Sequence, residues 1–333
     1  MKIRITFVLM LAVLLAPCVR AQQEVQLSQY MFNGLTLNPA LAGSYETFNA
    51  QVLYRMQWQG LEGAPRSELG SVDGVLTQSN SMGWGLSVVG EQLGLMKTLG
   101  AYASYAYRIR LNELDDRLSL GLAAGAMQEA FGGISAAGLS SNGQPIYQDG
   151  DDILAAETRW RPDFKLGAYY SYGKMAYASL SVSNLGTFIR FKTDDSLYIY
   201  NPHFYLMGGM HYYLNDAWRI SPSLLACYTL NDRPLIDANV GLTYNDIVWL
   251  GVGARMVLPL NPPNATLGSN LAMMNALAVM LEGWITQSLR IGYCYDFSIA
   301  RMKVGNVQNG SHEISLGFTF ARKVPVVRNP KNF

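Results

Sequence analysis

Three histidines, His203, His211 and His312, are the side chains of this sequence that titrate near neutral pH without help from their surroundings. General acid–base chemistry would run through one of them set beside an acid or a hydroxyl. Ser311, His312 and Glu313 place a nucleophile, a base and an acid in a row. Along a strand consecutive side chains alternate faces, so Ser311 and Glu313 point away from His312 and no relay forms. His203 and His211 lie on one expected strand, too far apart along it to share a metal without other ligands. Asp149, Asp151 and Asp152 offer hard oxygens for Ca²⁺, but the glycine and terminal glutamate of a helix–loop–helix site are missing, and a solvated acidic loop is the simpler reading. Gly83-Trp84-Gly85 and Gly251-Val252-Gly253 fall within strands instead of opening a helix, so they make no phosphate cradle. Catalytic residues, metals and cofactors are therefore expected to be none, and a net charge of +1 gives no basic stripe for nucleic acid.

The elements that carry these residues explain why chemistry is sparse. Of 333 residues only 15% are charged and 50% are hydrophobic, against about 25% charged in ordinary soluble domains. Such a chain suits a solvent other than water. Lys2 and Arg4, the apolar run ITFVLMLAVLLAP and Val19-Arg20-Ala21 read as a cleavable signal peptide over 1–21. Cys18 suggests lipid attachment, but Pro17 occupies a position where that modification wants a smaller residue. Cys227 and Cys294 sit in separate strand-like runs and read as small apolar fillers, not a disulfide framework. Beyond residue 21 no apolar run is long enough for a helical span, and only helices and closed barrels satisfy the backbone within a bilayer.

Alternation supports the barrel. Leu289, Ile291, Tyr293, Tyr295 and Phe297 share one face, and Arg290, Gly292, Cys294 and Asp296 the other. The same beat separates Ile236, Ala238, Val240, Leu242 and Tyr244 from Asp237, Asn239, Gly241 and Thr243, and runs again from Glu313 to Phe320. The stretch 271–281 is apolar on both faces. About fourteen strands are expected, near 47–58, 67–78, 82–92, 96–110, 117–131, 161–172, 174–184, 202–214, 217–230, 235–245, 247–258, 269–283, 287–297 and 311–321. Tight turns are expected at 172–174 and 214–216, and longer loops at 110–117, 132–160, 190–201 and 259–268. The organisation is thus a signal peptide (1–21), an N-terminal lead-in (22–46), an all-β transmembrane antiparallel barrel (47–321) and a basic tail (322–333).

The lead-in contains Gln29, Tyr30, Met31, Phe32 and Asn33, then Asn38, Pro39, Ala40, Ala42, Gly43 and Ser44. This phrase resembles the opening of the PorP/SprF family, outer-membrane barrels associated with type IX secretion and gliding motility in Bacteroidetes; Leu41 stands where that family often has an aromatic. Arg55, Gln57 and Trp58 with Gly63-Ala64-Pro65, then Gly292 to Asp296 and Gly310 to Ile314, are similar to its later phrases, with Cys294 at a position usually small and polar. The resemblance spans the mature chain and is weakest over about 132–200. It implies residence in the outer membrane, partnership with the periplasmic ring lipoprotein of the machinery and that lipoprotein's partner subunit, and service to a secreted adhesin or enzyme as cargo.

Each phrase also has a plainer physical reading. Asn38-Pro39 and Gly43-Ser44 are turn chemistry, Trp58 suits a membrane interface, and Arg55 can pair with Asp296 or Glu313 across the first and last strands to close the barrel, a seam that Tyr293, Tyr295 and His312 border. The lead-in is too apolar for a free tail, so Gln29 to Gly43, expected on the periplasmic side where the first strand begins, either plugs the lumen or docks a partner. Two functions follow: a non-enzymatic anchor or docking platform, or a porin-like channel for small polar solutes, which requires an open lumen.

Overall fold

The computed structural model describes residues 26–61, 63–76, 80–113, 115–132, 134–135, 138–139, 145–146, 152–154, 157–188, 201–230, 233–258, 274–299 and 310–320. Residues 1–21 and 322–333, expected to be a signal peptide and a tail, lie outside them, as do Asp149 and Asp151. Fourteen strands form the wall: β1 Phe48–Met56, β2 Arg66–Val75, β3 Met82–Leu93, β4 Met96–Arg110, β5 Arg117–Phe131, β6 Glu157–Tyr172, β7 Ala176–Ser183, β8 His203–Met210 with its continuation Tyr212–Tyr213, β9 Trp218–Thr229, β10 Leu235–Tyr244, β11 Val248–Val257, β12 Met274–Trp284, β13 Leu289–Ser298 and β14 Ser311–Phe320.

Every strand pairs antiparallel with its sequence neighbours, and β1 pairs with β14 from Phe48 opposite Phe320 to Met56 opposite His312. Closure leaves no free edge, which the bilayer demands because it supplies no hydrogen bonds. Polarity is inverted relative to a soluble protein. Val52, Leu122, Leu180, Val240, Leu281 and Leu316 are exposed on the outer wall, whereas Ser67, Asp163, Lys165, Asn239, Asp296 and Glu313 are buried inside.

The links sort by end. At the rim where β1 begins they span 76–81, 111–116, 173–175, 214–217, 245–247 and 285–288; at the opposite rim they include 132–156, 184–202, 258–273 and 299–310. The link 111–116, expected among the longer loops, belongs to the short set, where Asn112 ties it by accepting from the Asp116 N–H at 3.0 Å. Asn245 and Asp246 both take left-handed backbone, φ 50° and 53°, which their short polar side chains tolerate and which closes the β10–β11 turn tightly. The expected strand 202–214 breaks at His211, whose N–H donates to the Met175 carbonyl.

Apolar residues appear on the inner wall where residues 26–47 pass through the barrel. Leu27, Tyr30 and Leu37 pack on inward-facing Leu53, Leu69, Tyr205, Met207 and Leu225. Met31 packs on Ala278, Met280 and Cys294. This explains the two-faced apolarity of β12: its outer side meets lipid and its inner side meets Met31 and Trp249.

Candidate functional site

The lumen segment is built from turns because its sequence favours them. Phe32 and Asn33 donate backbone N–H bonds to Gln29 and Tyr30, a single helical turn follows at Gly34–Leu37, and a 3₁₀ turn covers Pro39–Leu41. Asn38 caps that turn by accepting from the Ala40 N–H at 2.8 Å, and Pro39 at its start has no N–H to leave unsatisfied. The Asn38 amide donates outward to Ser179 Oγ at 2.8 Å and to the Ala168 and Leu180 carbonyls at 3.0 and 3.2 Å, so one side chain fixes both the turn and its place on β6 and β7. Gly121 on β5 lies directly under this turn; a Cβ there would overlap the Pro39–Ala40 backbone.

The first part of the segment is held by buried charge. Arg55 reaches Asp296 at 2.6 Å and Glu313 at 2.7 Å, with all three groups almost fully buried. Arg255 bonds Asp237 at 2.8 Å and lies 3.6 Å from Asp296. Two guanidiniums thus face three carboxylates, and the lumen segment supplies the remaining donors. The Ser28 and Gln29 N–H groups donate to Glu313 at 3.0 and 2.8 Å. Ser28 Oγ donates to Asp296 at 2.8 Å and accepts from Arg55 at 3.0 Å and Arg255 at 3.2 Å, using its one proton and two lone pairs. Gln29 Oε1 accepts from Ser315 Oγ at 2.7 Å. Tyr30 donates to the Asp237 carbonyl at 3.4 Å and lies 3.0 Å from Ser223 Oγ.

The segment leaves at the rim where β1 begins. There Gly43 takes φ 69°, donates its N–H to Asp73 at 2.9 Å and packs so closely that a Cβ would sit 2.8 Å from the Gly74 carbonyl. Arg108 donates to the Gly43 carbonyl at 2.8 Å, and Arg108 and Arg117 both pair with Glu46, at 3.3 and 3.0 Å. Midway, Lys165 donates to the Thr36 carbonyl at 3.0 Å and Ser181 to the Leu37 carbonyl at 2.8 Å.

The wall therefore brings together Arg55, Asp296 and Glu313 with Gln29, but not the rest of the motif residues grouped with them. Tyr293, Tyr295 and His312 point outward on β13 and β14, where His312 bridges the Tyr293 hydroxyl at 2.8 Å and Gln59 at 2.7 Å. Gln57 donates its N–H to Pro65 in the β1–β2 link, and Trp58 takes left-handed backbone at φ 47°. The three histidines occupy separate sites: His203 bonds Asn184 at 2.9 Å and His211 bonds Ser221 at 2.9 Å. The lead-in, expected on the side where β1 begins, reaches that rim only through Gly43 to Glu46; Ser28 and Gln29 lie beside Arg55 and Glu313, near the opposite rim. The reason is charge: the donors on Ser28 and Gln29 are drawn to the carboxylates at the far ends of β13 and β14. Ser28, Asp237, Arg255 and Arg108 escaped the sequence reading as site residues. An inward arginine facing an inward aspartate on adjacent strands is the signal that Asp237 and Arg255 carried.

A cavity of about 540 Å³ remains between the segment and the rim. Met31, Phe32 and Leu35 form its floor, and Tyr169, Tyr177, Trp249 and Trp284 line its walls. Phe32 meets Trp249 edge-on with centroids 5.1 Å apart.

The profile of the family described as type IX secretion system membrane protein PorP/SprF matches residues 19–318 of this chain. Curated proteins give no match. Among solved structures, the toluene transporter TbuX of Ralstonia pickettii is similar in fold, with a TM-score of 0.52 at 10% identity over 86% of this chain and 93% of that one. A FadL homologue of Pseudomonas aeruginosa matches with a TM-score of 0.47 at 12% identity over 85% of this chain and 93% of that one.

Proposed function

Because the chain belongs to the PorP/SprF family of type IX secretion system membrane proteins, we propose that this outer-membrane barrel is a non-enzymatic docking platform that ties secretion machinery and secreted cargo to the membrane. The observation that supports a platform over a pore is the lumen: residues 27–46 run along it and bond to the wall at both ends and in the middle. A scaffold benefits from such rigidity, whereas a solute channel is obstructed by it.

Short links face the periplasm in single-chain outer-membrane barrels. On that rule the rim carrying Glu46, Asp246 and the mouth of the cavity meets the periplasmic ring lipoprotein and its partner subunit, and the long links 132–156, 184–202, 258–273 and 299–310 meet an adhesin or enzyme cargo at the surface. A signal peptide over 1–21 delivers the chain to that membrane. Affinity purification of the tagged protein from detergent-solubilised outer membranes tests the reading. Co-purification of a type IX ring component or a surface cargo is the expected result; recovery of the barrel alone, with steady conductance in planar bilayers, returns the porin alternative.

A further inference from the structure

The cavity at the β1 rim is a built socket. It is floored by the lumen segment and walled by aromatic rings and methionines, and its volume of about 540 Å³ lies in the range of ligand-binding pockets. Its mouth lies among Lys174, Asp246 and Ile247, all exposed. Its charges are mostly answered from within: Arg219 pairs with Asp246 at 3.0 Å and Arg290 with Glu282 at 3.2 Å. Asp73 differs. It is buried, lines the cavity, accepts the Gly43 N–H at 2.9 Å and has no ion-pair partner among the described residues. The socket therefore suits an extended apolar segment that also carries positive charge.

Such a segment begins at the same rim. β14 ends at Phe320, beside Phe48 at the start of β1, and β1 and β13 contribute Gln51 and Arg290 to the cavity. Residues 321–333, ARKVPVVRNPKNF, follow. Extended, they reach about 40 Å, whereas a fourteen-strand barrel at the usual spacing and tilt is about 28 Å across. Pro325 and Pro330 favour extended backbone of the kind that aromatic-lined grooves recognise, Val324, Val326, Val327 and Phe333 supply apolar groups, and Arg328 and Lys331 supply charge for Asp73. We propose that residues 322–333 of this chain occupy the socket, above the floor that Met31, Phe32 and Leu35 form. This inference is independent of the platform reading, since it concerns one chain alone.

A benzophenone amino acid placed at Phe333 in the purified full-length protein tests it. The expected result is an intrachain crosslink on illumination, mapped by mass spectrometry to peptides carrying Met31, Met207 or Trp284, and weakened by the double change Arg328→Glu and Lys331→Glu. Crosslinks to a second copy that grow with concentration, crosslinks only to the outer wall, or none at all would overturn it. In a second arm, a fluorescent synthetic peptide of residues 322–333 should bind the chain truncated after Ala321 at least about tenfold more tightly than the full chain, because the tethered copy competes at high effective concentration. Equal binding to both, or binding to neither, rejects the proposal; should the truncated chain fail to fold, the crosslink decides.

Discussion

The two ends of the lumen segment are both fastened by arginine and carboxylate, but in different surroundings. At Ser28 and Gln29 the charges of Arg55, Asp296 and Glu313 are at most 3% exposed, and the segment adds its two N–H groups to Glu313 and the Ser28 hydroxyl to Asp296. At Gly43 to Glu46 the arginines are mostly covered, while Glu46 is 36% exposed to the rim. Desolvated charges cost several kcal/mol each unless fully partnered, so every member of the inner cluster depends on the others. Rim charges keep water as an alternative partner and contribute little. The segment is thus locked near one rim and only latched at the other.

Breaking the lock is the largest test of that contrast. Arg55→Ala leaves Asp296 and Glu313 buried without their main partner and should destabilise the folded barrel by about 3–5 kcal/mol. Urea unfolding in lipid vesicles measures it; a loss below about 1 kcal/mol would show that water reaches the cluster and that the two ends are alike.

Gly121→Leu attacks the segment from behind without touching charge. The new side chain collides with the Pro39–Ala40 turn, an overpacking expected to cost about 1–3 kcal/mol. The cheapest relief is to push the turn off β5, so residues 34–42 should become sensitive to protease added to the detergent-solubilised protein. Unchanged cleavage would mean that the wall yields instead of the segment.

Ser28→Ala removes one hydroxyl that serves Asp296, Arg55 and Arg255, while the backbone donors to Glu313 remain. A loss of about 1–3 kcal/mol is expected. Combining it with Arg55→Ala should cost less than the sum of the two, since both act on one cluster.

The wall was legible because alternation is a direct consequence of strand geometry placed between lipid and a polar lumen. β10, β13 and β14 announce themselves by Asp237, Asp296 and Glu313 set among apolar neighbours. The strand break at His211 was not legible, since it depends on the Met175 carbonyl far away in sequence; link 111–116 is closed by the local Asn112–Asp116 bonds, a side-chain tie that alternation does not report. For the lumen segment, composition showed that Tyr30, Met31 and Phe32 had to pack somewhere, and the inward Leu53, Leu69 and Met280 were the matching half of that signal. Reading the two halves together would have located the segment. Ser28 carried no such mark: a serine before a motif looks like any other, and its place follows only from three charged groups that the closure of β1 on β14 brings together. The family phrase likewise mixed inward Arg55, Asp296 and Glu313 with outward Tyr293, Tyr295 and His312, because neighbouring residues on a strand serve opposite sides of the wall.

Glu46→Gln gives the smallest and most discriminating effect. It removes the carboxylate that Arg108 and Arg117 share, but Arg108 retains the Gly43 and Asn80 carbonyls at 2.8 and 3.1 Å, and Arg117 retains Asp115 at 2.7 Å. Each arginine therefore keeps a partner, and the loss should stay below about 1 kcal/mol. Because Glu46 itself is open to solvent, raising salt should shrink the difference between Glu46→Gln and the parent chain, as screening weakens exposed ion pairs within about a Debye length. The effect of Arg55→Ala should hardly change over the same salt range, its charges being out of reach of mobile ions. Equal salt sensitivity in the two variants would place both ends of the segment in the same aqueous environment and remove the distinction between lock and latch.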